Sequence, residues 1–137
     1  MTLIEISAVS LDVGAHESAA GHSGAGATVV FCGVVRERDH DRAVVELEYQ
    51  AHPSAQQVLE EVAAEVTGDP AVLGFAVSHR VGVLAVGDVA LVAAVSTAHR
   101  AEAFEICARL VEQVKHRLPI WKRQVFADGT DEWVNCP

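Results

Sequence analysis

The sequence predicts an α+β domain: an antiparallel sheet carrying two main helices. Two observations predict it. Residues 43–50 (AVVELEYQ) alternate apolar and polar positions, which is the period of a strand with one covered face. Residues 54–67 and 99–117 instead repeat apolar side chains every three or four positions, which is the period of a helix with one buried stripe. Short turns at 37–42 and 86–88 join neighbouring strands as hairpins, so the sheet is antiparallel.

The 137 residues suffice for one domain over 1–137 that needs neither disulfide nor metal to fold. Residues 3–11 (LIEISAVSL) alternate and read as a strand. Residues 15–26 are rich in small residues and glycine, so a mobile loop is expected there. Its two histidines, His16 and His22, have no third ligand nearby and read as solvated loop residues rather than metal ligands. Residues 27–35 (ATVVFCGVV) form a nearly continuous apolar run, which suits a strand covered on both faces. It is expected to pair in a hairpin with 43–50, where Val45, Leu47 and Tyr49 would share a face.

Pro53 sits well at the start of the first helix, and Gly68-Asp69-Pro70 stops it. Residues 74–84 and 88–96 are two more strands. His79 and Arg80 interrupt the first of them and read as a structural pair. Thr97 is the expected N-cap of the second helix, with Phe104, Cys107, Val111, Val114 and Leu118 on its core face. Pro119 ends that helix by disfavouring helical geometry at Leu118. Asp128-Gly129 is a turn, and Trp133 is expected to seal a last short strand against the core. Cys32, Cys107 and Cys136 are too few and too scattered for a disulfide framework or a metal motif. The first two read as small buried hydrophobes.

Charge excludes some functions and suggests another. With 10 Lys+Arg against 19 Asp+Glu and only 5% aromatic residues, the chain lacks the basic stripes and stacking platforms of a nucleic-acid surface. No apolar run is long enough for a membrane span, and Met1–Glu5 has no basic region ahead of an apolar stretch, so a cytoplasmic location is expected. Against this acidic background, residues 115–123 (KHRLPIWKR) hold four permanent cations, one histidine and no acid. A cationic island on an acidic body points to an anionic ligand. Arg36 ends an apolar strand, where a guanidinium reaches into a cleft. His99 and Arg100 open a helix, where cations are unfavourable unless an anion binds there too. Each of these residues, taken singly, also fits a solvated surface role.

Four pieces in order, Phe31-x-Gly33-x-x-Arg36, His79-Arg80-x-Gly82-x-Leu84-x-x-Gly87-Asp88, Ser96-x-x-His99-Arg100-x-x-Ala103-Phe104 and Lys115-x3-Pro119-Ile120-Trp121-Lys122, resemble the catalytic (large) subunit of the molybdopterin synthase family. The resemblance spans roughly residue 27 to Trp133. It implies an α/β hammerhead-like fold with a small additional β subdomain. It implies a sulfurtransferase that converts cyclic pyranopterin monophosphate to molybdopterin. By the same resemblance the sulfur would come from the C-terminal Gly-Gly thiocarboxylate of a small ubiquitin-like partner subunit, and the large subunits would pair as a homodimer, giving a heterotetramer. No cofactor and no metal are implied.

By the same resemblance Lys115 and Lys122 are the catalytic lysines. Arg36, His99, Arg100, Arg123 and Gln124 are substrate-binding. The residue types suit the chemistry, because a phosphate and a thiocarboxylate both call for converging cations. Clustered cations also favour the neutral form of an amine, available as base or nucleophile. Lys115 would handle protons or take up the acyl group as sulfur leaves, and Lys122 and Arg36 would hold the phosphate or a developing oxyanion. One departure from the family pattern is the turn at Glu37–Arg42, which lacks the glycine often found there.

Two other readings compete. A non-catalytic phosphate- or carboxylate-binding module would use the same cations, although binding alone would tolerate arginine at both lysine positions. A Cys–His hydrolase would pair Cys32 with His99, but a thiol in an apolar run without positive charge nearby is unreactive.

Overall fold

The computed structural model describes residues 3–135. In chain order the elements are β1 (Leu3–Ser7), α1 (Val13–Ala20), β2 (Ala27–Val34), β3 (Arg38–Asp39), β4 (Arg42–Ala51), α2 (Ala55–Thr67), β5 (Val72–Arg80), β6 (Gly82–Ala85), β7 (Val89–Thr97), α3 (Arg100–Arg117), β8 (Ile120–Phe126) and β9 (Asp131–Asn135). They build two sheets. One has the order β1-β5-β7-β2, and the other runs β3-β4-β8-β9 with β6 also on β4. All pairings are antiparallel except β1 with β5.

Period-two alternation explains why β5 and β7 are apolar almost throughout. Val77, Leu91, Ala93 and Val95 belong to the main core with Leu59 and Val62 of α2 and Leu110 and Val114 of α3. The intervening Ala76, Val92 and Ala94 are equally buried but lie outside that cluster. They share the face of Ser78, whose hydroxyl meets His16 of α1 at 2.7 Å. Helix α1 therefore covers the second face. Gly74 lets it come close, since a Cβ there would lie 2.2 Å from the carbonyl oxygen of Ala20.

Several expectations are corrected here. The stretch 15–26 is not a loop throughout, because α1 occupies its first part. Asp12 caps that helix by accepting from the Ala15 amide at 3.0 Å, and His16 is buried. Residues 27–35 do not pair with 43–50. Strand β2 pairs with β7 at the edge of the first sheet, while β4 belongs to the second. An edge strand has an open side, so β2 is only half covered and Cys32 is exposed. The strand expected over 74–84 breaks at Val81. Gly82, at φ +98°, turns the chain out of the first sheet and into β6 on β4.

Val45 does not share the face of Leu47 and Tyr49, because a register irregularity between Val44 and Glu46 shifts the pleat; Val44 is buried and Val45 exposed. Phe104 is 62% exposed on α3, and Trp133 likewise stands at the surface. Thr97 does not cap α3. His99 holds the N-cap position, and the buried Thr97 hydroxyl donates to the His99 carbonyl at 2.5 Å. Cys136 lies outside the described residues.

Candidate active site

Helix α3 ends as the proline requires. Leu118 leaves helical geometry at ψ 125°, and its amide closes the last turn on the Val114 carbonyl. The chain then reverses into β8, which runs antiparallel to β4. Lys115 thus stands in the last helical turn and Lys122 on the returning strand. On β8, Lys122 and Gln124 share one face, and their cross-strand partners on β4 are Tyr49 and Leu47. Between these supports and the segment that follows β2 lies a cavity of about 150 Å³, whose polar lining is Arg36, Asp39, Tyr49, Lys115, Lys122 and Gln124.

Four of the residues expected at the site therefore meet in one place: Arg36, Lys115, Lys122 and Gln124. Arg36 enters from the end of β2, with a side chain 77% exposed, and donates to Asp39 Oδ1 at 3.2 Å. Arg123 points to the other face of β8. Its Nε donates to Asp131 at 2.6 Å and it faces Glu48 at 3.7 Å. Those two acids hold its guanidinium above the ordinary arginine range, with Asp131 the stronger influence. His99 and Arg100 are exposed at the opposite end of α3. Fifteen residues of helix separate Arg100 from Lys115, roughly 22 Å along the axis. One chain does not bring them together.

Sequence reasoning did not single out two neighbours of the pocket. Asp39 is a carboxylate among the cations, placed there by the tight β3–β4 turn. Tyr49 lines the cavity and stands edge-on to His79, 5.0 Å between ring centroids. His79 is 2% exposed, and its Nδ1 donates to the Arg80 carbonyl at 2.7 Å. Burial, aided by the Lys115 charge and opposed by that hydrogen bond, lowers its pKa to about 4. It is a neutral wall at physiological pH and does not add to the cationic charge. Arg80 turns to Asp88 at 3.4 Å, in keeping with a structural role for this pair.

A larger groove of about 310 Å³ lies between β2 and α3, lined by Val29, Phe31, Phe104, Cys107 and Val111. It is apolar, and among the described residues Glu112 is the one charged side chain in its lining. Convergent cations, rather than volume, make the smaller pocket the candidate site. Among the described residues no group of three or more His, Cys, Asp or Glu side chains is placed to hold a metal ion. Among the same residues no helix is long and apolar enough to cross a membrane. The Cys–His arrangement is not formed. Cys32 lies five residues along β2 from Ala27, the partner of Thr97, so roughly 17 Å separates it from the end of β7 that leads to His99.

The family model described as MoaE protein matches residues 6–117. The chain belongs to the MoaE family. A molybdopterin synthase catalytic subunit of Nostoc sp. is 40% identical over 118 residues, covering 85% of this chain and 72% of the relative. The crystal structure of molybdopterin synthase from Staphylococcus aureus superposes with a TM-score of 0.87 at 28% identity, over 96% of both chains. A chain in the Helicobacter pylori complex of subunits 1 and 2 of molybdopterin-converting factor shares the fold, with a TM-score of 0.73 at 22% identity over 97% of this chain and 88% of that one. MoaE relatives named in this way are enzymes. The α+β architecture expected from the sequence is therefore the architecture of the MoaE family, and the cationic pocket lies within it.

Proposed function

We propose that this chain is the catalytic subunit of a molybdopterin synthase, converting cyclic pyranopterin monophosphate to molybdopterin. The observation that carries the reading is the convergence of Lys115, Lys122 and Arg36 on one pocket in a MoaE-family fold. Its sulfur source is the thiocarboxylate on the C-terminal Gly-Gly of a small ubiquitin-like subunit. The two-subunit Helicobacter pylori complex supports such a partner.

Lys115 and Lys122 meet the two ligand groups. The partner's tail brings its thiocarboxylate beside Lys115, and the sulfur forms a bond to a substrate carbon as a carbon–oxygen bond at that carbon breaks, the oxygen leaving with a proton from the Lys115 ammonium. Water then attacks the acyl carbon, and the acyl–sulfur bond breaks. The products are a thiolate on the substrate and a carboxylate on the partner. Lys115 carries the proton that the water gives up, while Lys122 and Arg36 hold the phosphate and the developing oxyanion.

The pocket of about 150 Å³ is smaller than the roughly 300–1,000 Å³ that encloses a small-molecule ligand. The pterin therefore needs a further wall. A second copy of the chain supplies it, presenting His99 and Arg100 from the far end of its own α3. Each active site is then shared across a homodimer.

The test is direct. The purified chain is mixed with pterin substrate and a thiocarboxylated small subunit, and dithiolene product is assayed. Product is expected; none, with verified components, rejects the reading. The non-catalytic module predicts phosphate binding without product.

A further inference from the structure

One residue of the pocket runs against its charge. Asp39 lines the same cavity as Arg36, Lys115 and Lys122, and its side chain is only 16% exposed. Burial pushes its carboxyl up. The hydrogen bond with Gln124, the nearby His40, the bond from Arg36 and the charge of Lys122 together outweigh that and hold it below the usual carboxylate range. Asp39 is thus ionised at neutral pH. Gln124 is 3% exposed and its Oε1 has no partner, as expected if its amide N–H turns toward the carboxylate.

The backbone is committed to this placement. His40 and Asp41 form the two-residue turn between β3 and β4, both at positive φ (48° and 65°). Such turns favour Gly, Asn and Asp, so Asp41 suits its place, while His40 is strained by roughly 1–2 kcal/mol. A glycine at either position would relax the turn, but it would also loosen the hold on Asp39. Here the chain accepts the strain, and the carboxylate stays over the pocket.

On the reading of this pocket as the enzyme's anion site, we propose that Asp39 is a resident counter-anion: it holds Arg36 while the pocket is empty and must release it when an oxyanion enters. Arg36, Lys115 and Lys122 bring three positive charges and Asp39 one negative, which leaves a net charge of two. Without Asp39, three cations would bind any anion more tightly, the carboxylate product of the partner's tail included. Asp39 is a positioning residue that lowers anion affinity and so favours exchange. The Arg36 contact suits the role, since a single 3.2 Å bond from a largely exposed guanidinium is readily given up.

The experiment is an NMR titration of the full chain with inorganic phosphate at neutral pH, in low and in high NaCl. Asp39→Asn keeps an acceptor for Gln124 but removes the charge. It is expected to bind phosphate about fivefold or more tightly in low salt, with the gain shrinking in high salt. Equal or weaker binding by this variant would overturn the role of Asp39. In the wild-type chain, the Asp39 carboxyl and Arg36 Nε signals should move with one midpoint as phosphate is added; a stationary Asp39 signal also overturns it. Lys122→Gln separates the two levels. If it binds phosphate as the wild type does, the anion-site reading itself fails. If it weakens binding while Asp39→Asn changes nothing, only the counter-anion is lost.

Discussion

The Tyr49 ring stands at 78° to the imidazole of His79, and Tyr49 is also the cross-strand partner of Lys122. A buried, neutral histidine therefore backs the wall of a cationic pocket. The arrangement has a consequence for stability. The His79 pKa is lowered from 6.5 to about 4 in the folded chain, chiefly by burial. Between those values the unfolded chain binds a proton that the folded chain refuses. The stabilisation is complete above about pH 6.5 and is lost as pH falls toward 4, on the order of 3 kcal/mol in all.

Denaturant titrations between pH 7 and 4.5 should show that loss. A His79→Gln variant, which keeps a donor for the Arg80 carbonyl, should lose less over the same range. Parallel pH dependences in the two chains would refute the assignment to His79.

The two lysines should separate by what arginine can replace. Lys115→Ala is expected to lower turnover at least a hundredfold, the scale of a missing proton carrier, while leaving affinity for the small subunit nearly intact. Lys115→Arg should be as inactive, because a guanidinium does not give up its proton. Lys122→Arg should keep most substrate affinity, since its role needs only the charge. Single-turnover dithiolene formation, with binding of the small subunit measured separately, checks all three. Wild-type rates in Lys115→Ala would sink its assignment.

Helix α1 offers a test of packing. A methyl group at Gly74 would lie 2.2 Å from the Ala20 carbonyl oxygen, and backbone cannot step aside as a side chain would. Gly74→Ala should therefore destabilise the fold by about 2–3 kcal/mol, read from the denaturation midpoint. Amide exchange should quicken in α1 more than in α2. A neutral substitution would mean that α1 is not held against β5.

These contrasts show what the sequence could and could not disclose. Helices α2 and α3 were legible because their stripes are long and local, and Pro119 marks an end that no tertiary contact overrides. Helix α1 was hidden because its buried face is small, His16, Ala19 and Ala20, and because Gly14 and Gly21 disguise it; the Asp12 cap was the available signal. The partner of β2 could not be read, since an apolar run records burial but not which strand lies beside it. The same gap misplaced Cys32, whose strand turned out to be an edge. The bulge at Val44/Glu46 defeated simple alternation at Val45. The meeting of Lys115 and Lys122 depends on the reversal at Pro119 and on the β4 register. Residue spacing suggested a basic island; only the resemblance paired the two lysines. Asp39 escaped notice because a carboxylate in a charged turn looks solvated.

His99 and Arg100 remain the residues that one chain leaves apart from Lys115, and this separation makes the shared site testable. Lys115→Ala and Arg100→Ala should each be inactive as pure proteins. If each pocket takes Lys115 from one copy and Arg100 from the other, a mixed dimer holds one intact pocket and one with both defects. Random exchange between equal amounts makes half of the dimers mixed, so about a quarter of wild-type activity should return. Activity of a co-expressed or denatured-and-refolded mixture is the measurement. No recovery, with mixed dimers verified by mass spectrometry, would mean that Arg100 acts within its own chain or not at all.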